Sequence, residues 1–298
     1  MGSNKTRKKP PLVNSYIRLF LENVKAFERN NAQGNRKLMY RGQTNYHDPV
    51  CPSVFRGKTL PKETQMVREL KRIAPHEFTT CFSQLECLIK MQHYRLPTRL
   101  LDVTFNPLVA LYFASIDDKN RNQPGVIYSF SDYVHSCDET IIERNALLST
   151  YSGSSPKELL EHINEKSNLL NNDGSPNTEE IKRLFGEKYH AIVPPLNNER
   201  IKRQQGGFLL FGLDVENQIN PFQKEAFNIQ LNVEQEEGIK KMILVMPKNK
   251  KQIIEELDAI GINHAFLFPE LEHQAAYIKQ KYCGSSESDE TDESKKKP

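Results

Sequence analysis

The chain has 298 residues, which is enough for one large domain or two small ones. Its 37% hydrophobic and 27% charged residues are typical of a globular protein, and no run approaches the roughly eighteen apolar residues of a membrane span. The net charge of +3 neither requires nor excludes nucleic acid, and five cysteines without a Cys-x-x-Cys pair argue against a disulfide framework or a zinc site and favour the reducing cytoplasm.

Both ends of the chain are expected to lie outside the folded part. Residues 1–11 are basic, and we interpret them as a solvated tail, with a weak polyanion contact as the alternative. No apolar segment follows them, so no secretory signal is expected. Residues 284–298, acidic with a final Lys run, contain no apolar residue and cannot bury enough surface to fold. The sequence therefore predicts one domain over residues 12–283.

The first half of this domain begins with helical patterns. Apolar spacing predicts a first helix over residues 12–30, and residues 38–40 are typical of a short strand that ends at Arg41-Gly42. Further helices are predicted over residues 62–74 and 78–94, the last with a continuous apolar face.

A buried strand and a helix follow. Residues 100–104 predict the strand, and Asn106 and Pro107 suit the N-cap and first residue of a helix that continues to about Ile116. Residues 125–130 predict another strand.

The second half combines a helical insertion with strands. Residues 150–190 are rich in Ser, Asn, Gly, Glu and Lys and predict an inserted pair of helices or a lid. Strands are predicted over residues 207–212, 226–233 and 241–247, followed by a helix over 248–260 and a last helix from about Pro269. Strands and helices do not alternate regularly, so we expect an α+β fold with a mixed central β-sheet.

Two polar segments within apolar surroundings are the strongest candidates for a site, because burying polar groups is costly unless they are paired or used. Their polar side chains are Arg41, Gln43, Gln92, His93, Thr98, Arg99, Asp102 and Thr104.

The two segments suggest particular roles. Arg41 offers a planar fork for phosphate or carboxylate, and Gly42 permits close approach of the backbone. A salt bridge from Arg41 to Asp102 or Glu270 is the structural alternative. His93 could act as a base, a ligand donor or a helix cap.

The strand period of two places Arg99 on one face with Leu101, and Asp102 with Thr104 on the other. A buried Arg–Asp pair that joins the two segments is the structural alternative to a binding role. Glu270 and Glu272 stand at the start of the last helix, where either acid suits the helix dipole or catalysis.

The motifs resemble those of the FRG domain family over residues of about 15–283. They are Tyr-Arg-Gly-Gln at 40–43, Gln-His-Tyr-Arg-Leu-Pro-Thr-Arg-Leu-Leu-Asp-Val-Thr at 92–104, Arg-Gln-Gln-Gly-Gly-Phe at 203–208 and Leu-Phe-Pro-Glu-Leu-Glu at 267–272. The chain departs from the family pattern at Arg95, where Gly is usual, and at Val103, where Trp is usual. The acids of the last motif are also one carbon longer than usual.

The same order of motifs is similar to that of ADP-ribosyltransferases, which use an early Arg or His, a Ser- or Thr-bearing strand and a late Glu. This resemblance implies NAD as the cofactor, with an Arg for the pyrophosphate and a carboxylate to stabilise a ribosyl cation. It implies Glu270, Glu272 and His93 as catalytic residues, with Glu199 and Glu225 left as alternatives for the acid. The implied cofactor-binding residues are Tyr40, Arg41, Gly42, Gln43, Thr98, Arg99, Asp102 and Thr104.

Two other classes of function stay open. One is a non-catalytic module that binds nucleic acid or protein through the Arg, His and Gln side chains, and the other is an accessory protein in a stress or phage-defence setting. For an enzyme, the acceptor is expected to be a macromolecule, and the oligomeric state is left open. The sequence has no Gly-rich phosphate loop, HExxH or GxSxG motif, which argues against kinases, zinc proteases and serine hydrolases.

Overall fold

A computed structural model describes residues 15–31, 35–57, 59–116, 122–153, 158, 162, 189–212 and 239–283. The two predicted tails, nearly all of the predicted helical insertion at 150–190 and the predicted strand at 226–233 lie outside the described residues. Among the described helices, none is both long enough and apolar enough to cross a membrane.

The described part of the chain is built on a mixed sheet of seven strands in the order β4-β5-β6-β2-β1-β3-β7. Neighbouring strands are antiparallel except β4 and β5, which are parallel. The α+β fold with a mixed central sheet is thereby confirmed. The strands are β1 (Lys37–Gln43), β2 (Leu100–Thr104), β3 (Gly125–Asp132), β4 (Val134–Ser136), β5 (Tyr189–Val193), β6 (Gly206–Phe211) and β7 (Ile239–Val245).

The helices surround the sheet. They are α1 (Tyr16–Asn31), α2 (Glu63–Ile73), α3 (Pro75–Phe78), α4 (Gln84–His93), α5 (Pro107–Ser115), α6 (Thr140–Leu147), α7 (Glu199–Gln204), α8 (Pro247–Ala259), α9 (His264–Leu267) and α10 (Leu271–Cys283). Short 3₁₀ turns occur at Ser53–Phe55, Leu60–Lys62 and Leu148–Thr150.

The sheet is split at its centre, between β1 and β2. These two strands pair only at Tyr40 and Thr104, whereas β1 pairs with β3 along its whole length. Beyond that single position, β1 and β2 are not joined by a continuous ladder of backbone hydrogen bonds.

Helix α5 is fixed against the sheet by two glycines. Asn106 caps the helix by accepting a hydrogen bond from the Leu108 backbone N–H, as the sequence predicts. A Cβ on Gly42 would lie 1.9 Å from the Ala110 carbonyl oxygen, and one on Gly125 would lie 2.1 Å from that of Ala114. The close approach that Gly42 permits is therefore that of helix α5.

Two local predictions are wrong. The strand predicted to end at Arg41-Gly42 continues to Gln43. The single helix predicted over 78–94 is divided into α3 and α4, and Phe82 between them is 96% exposed. The division has a local cause, because Ser83 accepts from the Glu86 N–H while Glu86 accepts from the Phe82 N–H. This pair of side-chain bonds starts a new helix at Gln84.

Candidate functional site

A chain of side-chain hydrogen bonds joins α4 to the central strand β2. Thr98 donates to the Gln92 side-chain oxygen, and Gln92 Nε2 donates to Asp102 Oδ1 at 2.8 Å. Asp102 is exposed although it lies on a central strand, which shows that the helices leave an opening above it. The structure thus brings Gln92, Thr98 and Asp102 together, as their shared segment implies.

Arg41 reaches the same place across the split in the sheet. Its Nη1 donates to the Asp102 backbone oxygen at 2.6 Å, and the Asp102 charge partly offsets the burial that lowers the Arg41 pKa. Its Nε is buried without a hydrogen-bond partner within the described residues, although the side chain keeps some accessible surface. The alternative of a salt bridge from Arg41 to Asp102 or Glu270 is not observed as a direct ion pair, since the Arg41 hydrogen bond goes to the backbone carbonyl group of Asp102.

His93 and Glu270 form the second part of the site. His93 Nδ1 lies 3.9 Å from Glu270 Oε1, and the two side chains are 28% and 30% exposed. The other carboxylate oxygen, Glu270 Oε2, is buried and has no hydrogen-bond partner among the described residues. Burial and the nearby Arg200 charge lower the His93 pKa, while Glu270 opposes them. A neutral imidazole therefore lies beside a carboxylate with free acceptor capacity.

Arg200, Phe268 and His264 form a stacked group near His93 and Glu270, and the sequence analysis missed them as site residues. The Arg200 guanidinium lies 4.8 Å from the centre of the Phe268 ring, and His264 stacks on the same ring at 4.6 Å. Burial and the charges of His273 and Arg200 lower the His264 pKa, against the effect of Glu270. His264 Nδ1 is buried without a hydrogen-bond partner in the described part of the chain.

Arg99 lies away from this cluster. It is 2% exposed and forms a two-pronged ion pair with fully buried Glu63, through Nε at 2.8 Å and Nη2 at 2.5 Å. Its Nη1 donates to the Phe211 carbonyl oxygen at 3.0 Å. The framework pair expected between Arg and Asp is thus made by Arg99 with Glu63, and the predicted role of Arg99 in cofactor binding stays a prediction.

Tyr40, Gln43 and Thr104 are also occupied by contacts within the fold. The Tyr40 hydroxyl donates to Glu28 Oε1 at 3.0 Å, and Gln43 Nε2 donates to the Pro49 carbonyl oxygen at 3.4 Å. Thr104 is buried, and its hydroxyl donates to the Gln204 carbonyl oxygen at 2.6 Å. Their predicted roles as ligand-binding residues are not tested by these contacts.

Of the two late acids, Glu270 is partly buried and Glu272 is exposed in the first turn of α10.

A cavity of about 300 Å³ adjoins the cluster between α4 and the turn before α7. It is lined in part by Lys90, His93, Tyr94, Pro195 and Asn198. Within the described residues, no group of three His, Cys, Asp or Glu side chains could hold a metal ion.

Comparison with known families supports part of the resemblance that the motifs suggest. Residues 36–123 match the FRG domain, so this part of the chain is similar to the FRG domain family, and the motifs at 203–208 and 267–272 lie outside the match. The match contains Arg41, Gln92, His93 and Asp102 and ends before Arg200 and Glu270. Comparisons with curated proteins and with solved structures found no match.

Proposed function

We propose that this protein is an ADP-ribosyltransferase-like enzyme that uses NAD and modifies a macromolecular acceptor, either protein or nucleic acid. The observation that carries this proposal is the state of Glu270. One of its oxygens is buried and has no donor in the described part of the chain, and the other faces a histidine whose pKa is lowered. Buried polar atoms without partners are rare in folded proteins and often belong to functional sites.

The hydrogen-bond acceptors around Glu270 fit the hydroxyl-rich part of a nucleotide. A ribose hydroxyl could donate to Glu270 Oε2, and His264 Nδ1 offers a second unpartnered atom nearby. Asp102 at the opening above β2 adds a further acceptor, held in place by Gln92 and by the Arg41 bond to its carbonyl group. These residues would bind and orient the ribose groups of NAD.

The chemistry assigned to these residues is glycosyl transfer. Bound NAD supplies the ADP-ribosyl group, and nicotinamide leaves with the electron pair of the broken glycosidic bond. The Glu270 carboxylate stabilises the positive charge that develops on the ribose, as carboxylates do at other glycosidic centres. Neutral His93 accepts the proton that the acceptor nucleophile loses when it bonds to the ribose carbon. The products are the modified acceptor, nicotinamide and one proton.

Calorimetric titration with NAD tests whether the cluster is a nucleotide site. The Glu270→Gln variant is titrated beside the wild type, because it keeps the shape of the side chain and we expect it to leave NAD intact. Glu255→Gln on the exposed face of α8 is the matched control. We expect saturable NAD binding by the wild type and by Glu255→Gln, and weaker NAD binding by Glu270→Gln, because its amide offers one acceptor oxygen where the carboxylate offers two. The thermal melts should be unchanged.

Absence of binding at millimolar NAD by folded wild-type protein would contradict the proposal. The alternative of a non-catalytic module for nucleic acid or protein would then be preferred. That alternative does not require the Glu270 carboxylate, so Glu270→Gln would leave the binding of such a partner unchanged.

A further inference from the structure

Arg200 has the properties of a side chain that is preorganised to bind an anion. It is partly buried, and its guanidinium group lies over the Phe268 ring, 4.8 Å from the ring centre. Within the described residues, the group makes no hydrogen bond or ion pair, so its N–H donors are available. An arginine without a paired acid keeps its planar fork of N–H donors for a phosphate, and packing on an aromatic ring reduces the side-chain entropy that it loses on binding.

Helix α7 holds Arg200 in this position. Asn198 caps the helix by accepting from the backbone N–H of Arg200 at 2.8 Å. On the same helix face, Arg203 Nη1 donates to the Phe266 carbonyl oxygen at 3.3 Å, and Gln204 Nε2 donates to that of Leu267 at 3.0 Å. These two bonds tie α7 to α9, next to the ring on which Arg200 rests.

One histidine, His264, lies beside Arg200. It shares the Phe268 ring with Arg200, and the Arg200 charge contributes to its lowered pKa. The charged and titratable groups that face His264 are His273, Arg200 and Glu270. An anion bound beside Arg200 would offset the effect of its charge and favour protonation of His264.

We infer that Arg200 and His264 form a phosphate-binding subsite, which in the proposed enzyme holds the diphosphate of NAD. The inference rests on the proposed function for the identity of the ligand. Glu270 lies at the edge of the subsite and serves the sugar hydroxyls, because its carboxylate repels the phosphate but accepts from a hydroxyl group. The ligand class is therefore a phosphate ester of a sugar.

Lys202 provides a matched control for charge. It lies on the same helix, is 45% exposed, and pairs with Glu199 at 2.7 Å on the surface. Lys202→Gln and Arg200→Gln each remove one positive charge from α7, but only the second removes the group that rests on Phe268. Arg200→Lys keeps the charge and removes the planar fork.

The test is calorimetric titration with inorganic pyrophosphate and with ADP-ribose at pH 6.5 in two buffers of different ionisation enthalpy. We expect Arg200→Gln to weaken the binding of both ligands about tenfold or more, the loss of one hydrogen bond to a charged group. Lys202→Gln should weaken it less than about threefold, a weak long-range effect of an exposed charge. The wild type should take up protons when it binds ADP-ribose, because the diphosphate diester of this ligand does not itself titrate near pH 6.5. Thermal melts establish that each variant is folded. If Arg200→Gln does not fold, Arg200→Lys replaces it, and its loss of the planar fork should still weaken binding more than Lys202→Gln does.

Three outcomes would overturn the inference: no pyrophosphate binding by the wild type, equal weakening by the Arg200 and Lys202 variants, or no proton uptake. Failure of the proposed function is distinguishable from these outcomes. Pyrophosphate binding that depends on Arg200, without any release of nicotinamide from NAD, would support the phosphate subsite and contradict the transferase. Turnover of NAD with an unchanged KM in Arg200→Gln would support the transferase and contradict the phosphate subsite.

Discussion

The Arg99–Glu63 pair gives a sharp prediction about stability. Glu63 is fully buried, Arg99 is 2% exposed, and two hydrogen bonds join them at 2.8 and 2.5 Å. Glu63→Gln leaves the guanidinium buried beside a neutral amide that can accept through only one oxygen. Removing one partner of a buried pair costs about 3–5 kcal/mol of unfolding free energy, out of roughly 5–15 kcal/mol for a typical domain.

Urea unfolding followed by far-ultraviolet circular dichroism measures this loss. The exposed Arg72–Glu69 pair is the control, since it has the same 2.5 Å separation with side chains 71% and 53% exposed. We expect Glu69→Gln to leave the midpoint almost unchanged. The double variant Glu63→Leu with Arg99→Met should recover much of the lost stability, because it leaves no unpaired charge. A loss below about 1 kcal/mol for Glu63→Gln would refute the reasoning from burial.

Three further predictions follow from the packing and the charges. Gly42→Ala should destabilise the fold by at least about 1–3 kcal/mol in urea, because the new Cβ would meet the α5 backbone at 1.9 Å; an unchanged midpoint would contradict this close approach. Gln92→Leu should lower the unfolding free energy by about 1–3 kcal/mol in the same assay, since it leaves the buried Thr98 hydroxyl without its acceptor; a gain in stability would contradict this. The lowered pKa values of His93 and His264 mean that the unfolded chain binds more protons below about pH 6.5, so the melting temperature should fall as the pH falls from there towards 5. Replacing both histidines by Gln should reduce this dependence, and an equally steep fall would contradict the assignment.

Local signals were sufficient for several elements. The Asn106-Pro107 pair fixes where α5 begins. The period of two predicts different faces for Arg99 and Asp102, and the two side chains have different partners, Glu63 and Gln92. The capping residues Ser83 and Glu86 were visible in the sequence, and they could have predicted the break between α3 and α4. The apolar period continued across the break and favoured one helix instead.

Tertiary contacts account for what sequence reasoning missed. Nothing near Glu63 in the chain indicates that it pairs with Arg99, 36 residues later, because an acid in the first turn of a helix is common on surfaces. Arg200 lies in a basic run that reads as solvated surface, and its role depends on Phe268 and Glu270, which follow about seventy residues later. Strands as short as β4, with three residues, carry too little pattern to be predicted.

Release of nicotinamide from NAD is the most direct test of the proposed enzyme. Purified wild type, Glu270→Gln and Glu255→Gln would be incubated with millimolar NAD, and nicotinamide would be quantified by chromatography. We predict release by the wild type and the Glu255 variant, and a loss of about 100-fold or more in Glu270→Gln at an unchanged melting temperature. Release by Glu270→Gln at the wild-type rate, or no release by any of the three folded proteins, would contradict the assignment of Glu270 as the catalytic carboxylate.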